Sequence, residues 1–208
     1  MEEPYPYDTV ASNPGRVTVD HLCHFMNYPK WYLIWGVPSI LFVGAATQLH
    51  WACWIPAVIC IVLLLLYTFI ITETFKHGCV NPGIVVQVSP TLIAVMTDLS
   101  KGDGEHYPVM KIIKKNLPRV KGEELHVGTR VATVAIYQDD AKVKRPHWVD
   151  FHPKPVLCAN FDPTVAKRIL NTIDTDDWEH LERELSAMHP PYTPGLRWLK
   201  SDGPSIPA

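Results

Sequence analysis

The stretch Trp31–Ile71, WYLIWGVPSILFVGAATQLHWACWIPAVICIVLLLLYTFII, contains no Asp, Glu, Lys or Arg. A membrane-spanning helix needs about 20 mostly apolar residues to cross a hydrocarbon core of about 30 Å. This run has length for two, and its least apolar point is Thr47-Gln48-Leu49-His50. Two transmembrane spans, 31–49 and 51–71, are therefore expected to form a tight helical hairpin within 30–76.

The flanks agree with that reading. Trp31, Tyr32 and Trp35 stand at the entry, Trp51 and Trp54 at the far side, and Tyr67, Phe69 and Phe75 on the return, as aromatic belts require. Arg16, Lys30 and Lys76 flank the open end while the turn carries no charge. The positive-inside rule then puts the N-terminus and the C-terminal domain on the cytoplasmic side of an inner (cytoplasmic) membrane. No ionisable residue lies mid-span, which argues against an ion path. Gly36, Pro38, Gly44, Ala45 and Ala46 narrow the first span, and Cys53, Ala57 and Cys60 share a face of the second. Small residues permit close helix approach, within the hairpin or in a homo-oligomer.

Composition sets further bounds. A formal net charge of −2 over 208 residues excludes the strongly basic surface of a nucleic-acid binder. The five cysteines form no CxxC pair, and two lie in the apolar run. They are not a secreted disulfide framework, and the odd count suits a reducing compartment. Residues 1–29 lack the features of a signal peptide. They read as an acidic, Pro-rich tail with a short interfacial segment from Val17 to Tyr28.

Residues 77–190 form the second unit. A Gly78–Gly83 turn cluster precedes short β-branched runs at Ile84–Ser89, Thr91–Leu99, Tyr107–Lys115 and Arg130–Tyr137. A further strand is expected at Trp148–Phe151 or Pro155–Ala159, and Gly102-Asp103-Gly104 has the chemistry of a hairpin turn. In Arg130–Tyr137, Val131, Thr133, Ala135 and Tyr137 face one way, and Ala132, Val134 and Ile136 the other. Amphipathic helices are expected at 162–173, capped by Asp162 with Pro163 following, and at 176–188, with an apolar stripe of Trp178, Leu181, Leu185 and Met188. Residues 191–208 read as a C-terminal tail. The fold class is a membrane-anchored α+β protein: a two-helix transmembrane hairpin, then a small β-barrel-like (SH3/OB-like) domain whose open side two C-terminal helices cover.

Three constellations carry chemistry-bearing residues. His147, Asp150 and His152 form a short His/Asp/His run; in a strand His147 needs a bend to join the other two, because zinc requires three or four converging ligands. Cys23 and His24 precede the apolar run while His77 and Cys79 follow it. A hairpin returns its ends to one surface, so these four suit Zn²⁺ or reversible acylation of either cysteine. Lys111, Lys114, Lys115, Arg119 and Lys121 form the basic cluster. It could hold the domain against anionic headgroups, or protect an edge strand from pairing. No nucleophile elbow, P-loop, HExxH or EF-hand pattern occurs, so no catalytic residue and no cofactor is assigned.

The run PGIVVQVSPTLIAVMTDLS…YPVMKIIKK…HVGTRVATVAIY…HWVDFHPKPV, with the helices to Met188, resembles a family of uncharacterised bacterial proteins carrying a domain of unknown function. The resemblance covers about residues 82–188 and implies a bacterial source. It brings no catalytic residues. Two function classes follow. One is an anchored binding or scaffold module whose small β-domain contacts a protein partner or the lipid bilayer. The other is a membrane-bound metal-dependent enzyme using His147, Asp150 and His152, or the juxtamembrane Cys and His.

Overall fold

The computed structural model describes residues 11, 13–101, 105–118, 124–140 and 145–199. Asp20 accepts hydrogen bonds from the N–H groups of Leu22 (2.9 Å) and Cys23 (3.2 Å), capping helix α1, His21–Asn27. Pro29, whose fixed φ suits a first helical position, opens α2, Pro29–Gln48. His50 makes the turn, its Nδ1 accepting from the Ala52 N–H at 3.1 Å. A short 3-10 turn, Trp51–Cys53, then leads into α3, Trp54–His77.

The two helices pack on each other through small side chains, with Ser39, Ala57 and Cys60 buried. Gly36 and Gly44 do not take part: a Cβ on either would meet nothing within 4 Å. Among the described residues one segment, Trp51–His77, is long and apolar enough to cross a membrane. The segment expected as the other span forms α2 but is diluted by Gly36, Pro38, Ser39, Thr47 and Gln48.

Helix α3 continues past the expected end at Ile71 and turns its last residues into the domain core. Ile71 and Phe75 pack with Val17, Val80 and Val134, and Phe75 is fully buried. Burying such a ring contributes about 1.5–3 kcal/mol. The last carbonyls of a helix lack intrahelical partners. Here the Val17 N–H donates to Phe75 O (3.1 Å), Arg16 N–H to Lys76 O (3.0 Å) and Gly15 N–H to Gly78 O (2.9 Å). Residues 13–20 are thus a strap across the end of α3 rather than part of a tail; residues 1–10 and 12 lie outside the described residues.

The strands are β1 (Cys79–Gln87), β2 (Leu92–Asp98), β3 (Pro108–Lys114), β4 (Arg130–Gln138), β5 (Asp150–Pro155) and β6 (Gly195–Trp198). They form one antiparallel sheet in the order β5-β4-β1-β2-β3-β6. Strand β1 includes the Pro82-Gly83 pair that reads as a turn in sequence. Pairing with β2 begins only at Gly83, so Pro82 faces β4 alone and its missing N–H interrupts no ladder. Strand β6 comes from the expected tail and pairs Gly195–Trp198 with Ile112–Val109.

The sheet is a curled half-barrel. Its curl shows in a contact between strands that are not neighbours, Lys111 on β3 with Asp150 and Phe151 on β5. The barrel-like expectation is met by this half-barrel, which stays open because β5 and β6 end the pairing order. The concave face carries Val85, Ile93, Val95, Val109, Val131, Ala135 and Phe151. The other face carries Val80, Ile84, Met96, Met110, Ile112 and Val134, and receives Ile169, Trp178 and Leu181. Those last three come from helices α4 (Pro163–Leu170) and α5 (Thr175–Ser186). Asp162 caps α4 through the Thr164 N–H at 2.8 Å, as its sequence predicts. The helices cover the convex face and not the open side, because aromatic rings of the sheet and its loops already fill the concavity.

Gly78 joins helix to sheet where a Cβ would lie 2.5 Å from Thr74 O and 2.9 Å from Ala135 O. Gly78→Ala is expected to destabilise the protein by about 1–3 kcal/mol, since two backbones would have to part. Gly36→Ala, in open space, should be neutral or stabilising by up to about 1 kcal/mol through helix propensity. Thermal unfolding of the detergent-solubilised protein followed by near-ultraviolet circular dichroism separates the two.

Candidate functional site

Two polar clusters are built by the fold. The first lies on the concave face, where strand alternation aims Asn81, Thr97, Lys111, Thr133 and Tyr137 inward. Lys111 Nζ donates to both Asp150 carboxylate oxygens (2.8 Å each) and to Phe151 O (2.7 Å). All three ammonium protons are thereby used. Nearby, Thr97 Oγ1 and the Tyr137 hydroxyl share a 2.7 Å hydrogen bond, and Thr133 Oγ1 donates to Asn81 O at 3.1 Å. Burial, with the Cys79 thiol alongside, pushes the Tyr137 phenol well up, so it stays protonated. At the rim, Lys101 lies 4.9 Å over the Trp148 ring and donates to Asp139 at 2.8 Å. This face is a satisfied, braced interior: its charges are paired and its hydroxyls bonded.

The second cluster lies where α1 meets α2, beside the foot of the apolar helices. His24 is fully buried, stacked on Tyr28 at 4.8 Å and edge-on to Phe75 at 6.1 Å. Its Nδ1 meets the Tyr32 hydroxyl at 3.2 Å, while Nε2 is buried with no partner among the described residues. Burial, then the nearby Lys154, His21 and Lys115, holds its pKa down from the usual 6.5 to about 4, so the ring is neutral. Cys23 donates to Leu157 O at 3.5 Å, and Cys158 lies close by. Burial raises these thiols to about 11 and about 12, which makes both poor nucleophiles. Lys115 and Lys154 complete the cluster around the Tyr28 ring.

The expected metal sets do not assemble. His147 binds back to Trp148 O (2.8 Å) and packs on Tyr107 and Trp198. Asp150 is taken by Lys111, and His152 meets Gln138 Oε1 at 2.8 Å. At the junction, Cys23 and His24 face the α1 cluster, Cys79 lies beside Tyr137, and His77 pairs with Glu73 at 3.2 Å. Among the described residues no group of three His, Cys, Asp or Glu is placed to hold a metal. The packing of α2 on α3 does bring the flanks of the apolar run to one end of the molecule, but α1 and β1 then carry their side chains into different cores.

The basic cluster also divides. Lys111 turns inward, Lys114 is exposed, and Lys115 donates to Asn27 O at 2.6 Å. Arg119, Lys121 and the Gly102-Asp103-Gly104 turn lie outside the described residues. Lys154 had no place in the sequence reading. The one local signal was its position in β5, since its meeting with Tyr28 depends on how α1 docks.

A curled antiparallel half-barrel, backed by two short helices and continuous with an apolar helix, defines the class of protein. The chain belongs to the family of proteins of unknown function DUF3239, whose model matches residues 70–189. That match begins inside α3, whose last turns pack in the sheet core. A crystal structure of a Corynebacterium diphtheriae protein described as a "putative membrane protein" is similar at 21% identity and a TM-score of 0.45, covering 51% of this chain and 87% of that one. No curated protein matches the chain.

Two outcomes are expected. His24 takes up a proton at its usual 6.5 when unfolded but only near 4 when folded. Its contribution is complete above that upper value and is lost as pH falls toward the lower, by up to about 1.4 kcal/mol per pH unit. His24→Phe, which keeps the ring packing, should flatten the fall in unfolding midpoint between about pH 7 and about pH 5. Lys111→Ala leaves Asp150 half-buried without its cation and should cost about 1–3 kcal/mol in denaturant unfolding, whereas Lys114→Ala should change little.

Proposed function

We propose that this protein is a membrane-anchored, non-enzymatic module, held by the α2–α3 hairpin with its half-barrel domain against the cytoplasmic face of the inner membrane. The observation that carries the reading is the surface of the two helices. Leu33, Ile34, Val37, Ile40 and Leu41 on α2, and Ile55, Val58, Ile59, Val62, Leu65, Leu66, Phe69 and Ile70 on α3, are exposed apolar residues. A patch that large in water is a liability, whereas in lipid it is ordinary. Packing on α3 lets α2, although less apolar, share the bilayer with its Ser39 side chain buried.

A scaffold role is supported by how stiffly the domain is held. Helix α3 enters the core without a linker, and the residue 13–20 strap bonds across the joint. A partner would meet the domain at a set height and orientation. An enzyme using His147, Asp150 and His152 lacks support, because these side chains have separate partners.

Topology decides the reading. Cys158 is too buried to report on sidedness, and the half-buried Cys79 is engaged beside Tyr137 in the sheet. Cys53, partly exposed at the hairpin turn, and an added Glu179→Cys on the exposed side of α5 are better probes. With impermeant maleimide on intact cells, Cys53 should label from outside and Glu179→Cys only after lysis. Labelling of both from one side would exclude a hairpin that spans the membrane.

A further inference from the structure

The junction cluster holds positive charge that no carboxylate among the described residues pairs with. Lys115 Nζ lies 3.6 Å and Lys154 Nζ 5.9 Å from the centroid of the same Tyr28 ring. Both side chains are partly buried. Among the described residues neither forms an ion pair with a carboxylate, in contrast to Lys101 and Lys111, which each have one. Lys115 spends one donor on Asn27 O and has two left, while Lys154 has no acceptor among the described residues. Two ammonium groups at one ring repel each other, and the ring face offsets only part of the cost. Beside them His24 is buried, neutral and, among the described residues, unpartnered at Nε2.

The location says what would supply the missing charge. Asn27 and Tyr28 directly precede α2, and exposed Trp31, Leu33 and Ile34 follow within six residues. Lys30 lies 5.5 Å from the Trp31 ring at the same level. Lipid phosphates occupy the plane next to the hydrocarbon, where tryptophan and lysine anchor helices. We infer that Lys115 and Lys154, gathered on the Tyr28 ring, bind the phosphate of an anionic phospholipid at the foot of the α2–α3 hairpin. The inference rests on the anchored reading above. It shifts the lipid contact from the basic run around β3 to a pair of which one lysine follows the end of β3 and the other lies in β5. Burial lowers the pKa of both lysines, which is what an unmet anion site would show before its ligand arrives.

The test uses the full chain in mixed micelles of phosphatidylcholine and phosphatidylglycerol, with native mass spectrometry of the retained lipid. Wild type should retain phosphatidylglycerol in excess of its share of the micelle. Lys115→Gln and Lys154→Gln should each lower that enrichment about fivefold. Lys114→Gln, at the neighbouring exposed position, should leave it unchanged, and the double Lys→Arg variant should preserve it. Equal retention of the two lipids, an equal loss in Lys114→Gln, or a loss in the Lys→Arg variant would overturn the inference, the last by showing a packing effect. Excess inorganic phosphate that abolishes the enrichment would point to a soluble anion and also overturn it. Carbonate extraction of membranes separates the two levels. Wild type released by carbonate sinks the anchored reading itself, whereas a resistant protein without lipid preference sinks only this site.

Discussion

The structure depends on the burial of the last two turns of α3 in the core of the sheet domain. Ile71 and Phe75 belong at once to an apolar helix and to the packing of β1 and β4. Because Gly78 follows with no room for a side chain, helix and strand are joined by a rigid corner rather than a linker. The strap of residues 13–20 closes that corner by taking the helix's terminal carbonyls. The strap that leads into α1 and the register of β4 against β1 both meet at this joint.

The half-barrel is the second consequence. An open sheet of six strands has two edges and one face to fill without a second sheet. Here curl brings β3 toward β5, and Lys111 bonds across the gap to Asp150 and to the Phe151 carbonyl. The aromatic rings of Tyr137, Trp148 and Phe151 stack in the space that remains. The helices therefore have no place in the concavity and lie on the other face. The polar groups of the concave side read as bracing, and the lysines without a carboxylate partner among the described residues are found instead where α1 meets α2, around Tyr28.

Much of this was legible in the chain. Alternation in Arg130–Tyr137 assigned each side chain to the face it occupies, because a strand's period of two is local. Asp162-Pro163 announced α4, because a cap needs only its own next residues. Pro82-Gly83 misled, since turn chemistry in sequence cannot show that β2 pairing starts one residue later. The short run Gly195–Trp198 carried no strand signal of its own, and β3 supplies its hydrogen bonds. The Cys/His set at the junction failed for a related reason: nearness of chain ends does not set the direction in which side chains point.

Sequence alone determined the apolar run, the β-rich unit after it and the two amphipathic helices, because periodicity, length and composition are properties of neighbouring residues. Tertiary structure decided the rest. Whether a lysine braces, is free or shares a ring depends on which distant strand or helix comes to face it. Lys111 and Lys115 belong to one basic run and Lys154 sits between two prolines, yet Lys111 is paired by Asp150 while Lys115 and Lys154 are gathered on Tyr28. The long-range curl of the sheet and the docking of α1 make that difference, and neither is written in any short stretch of the chain.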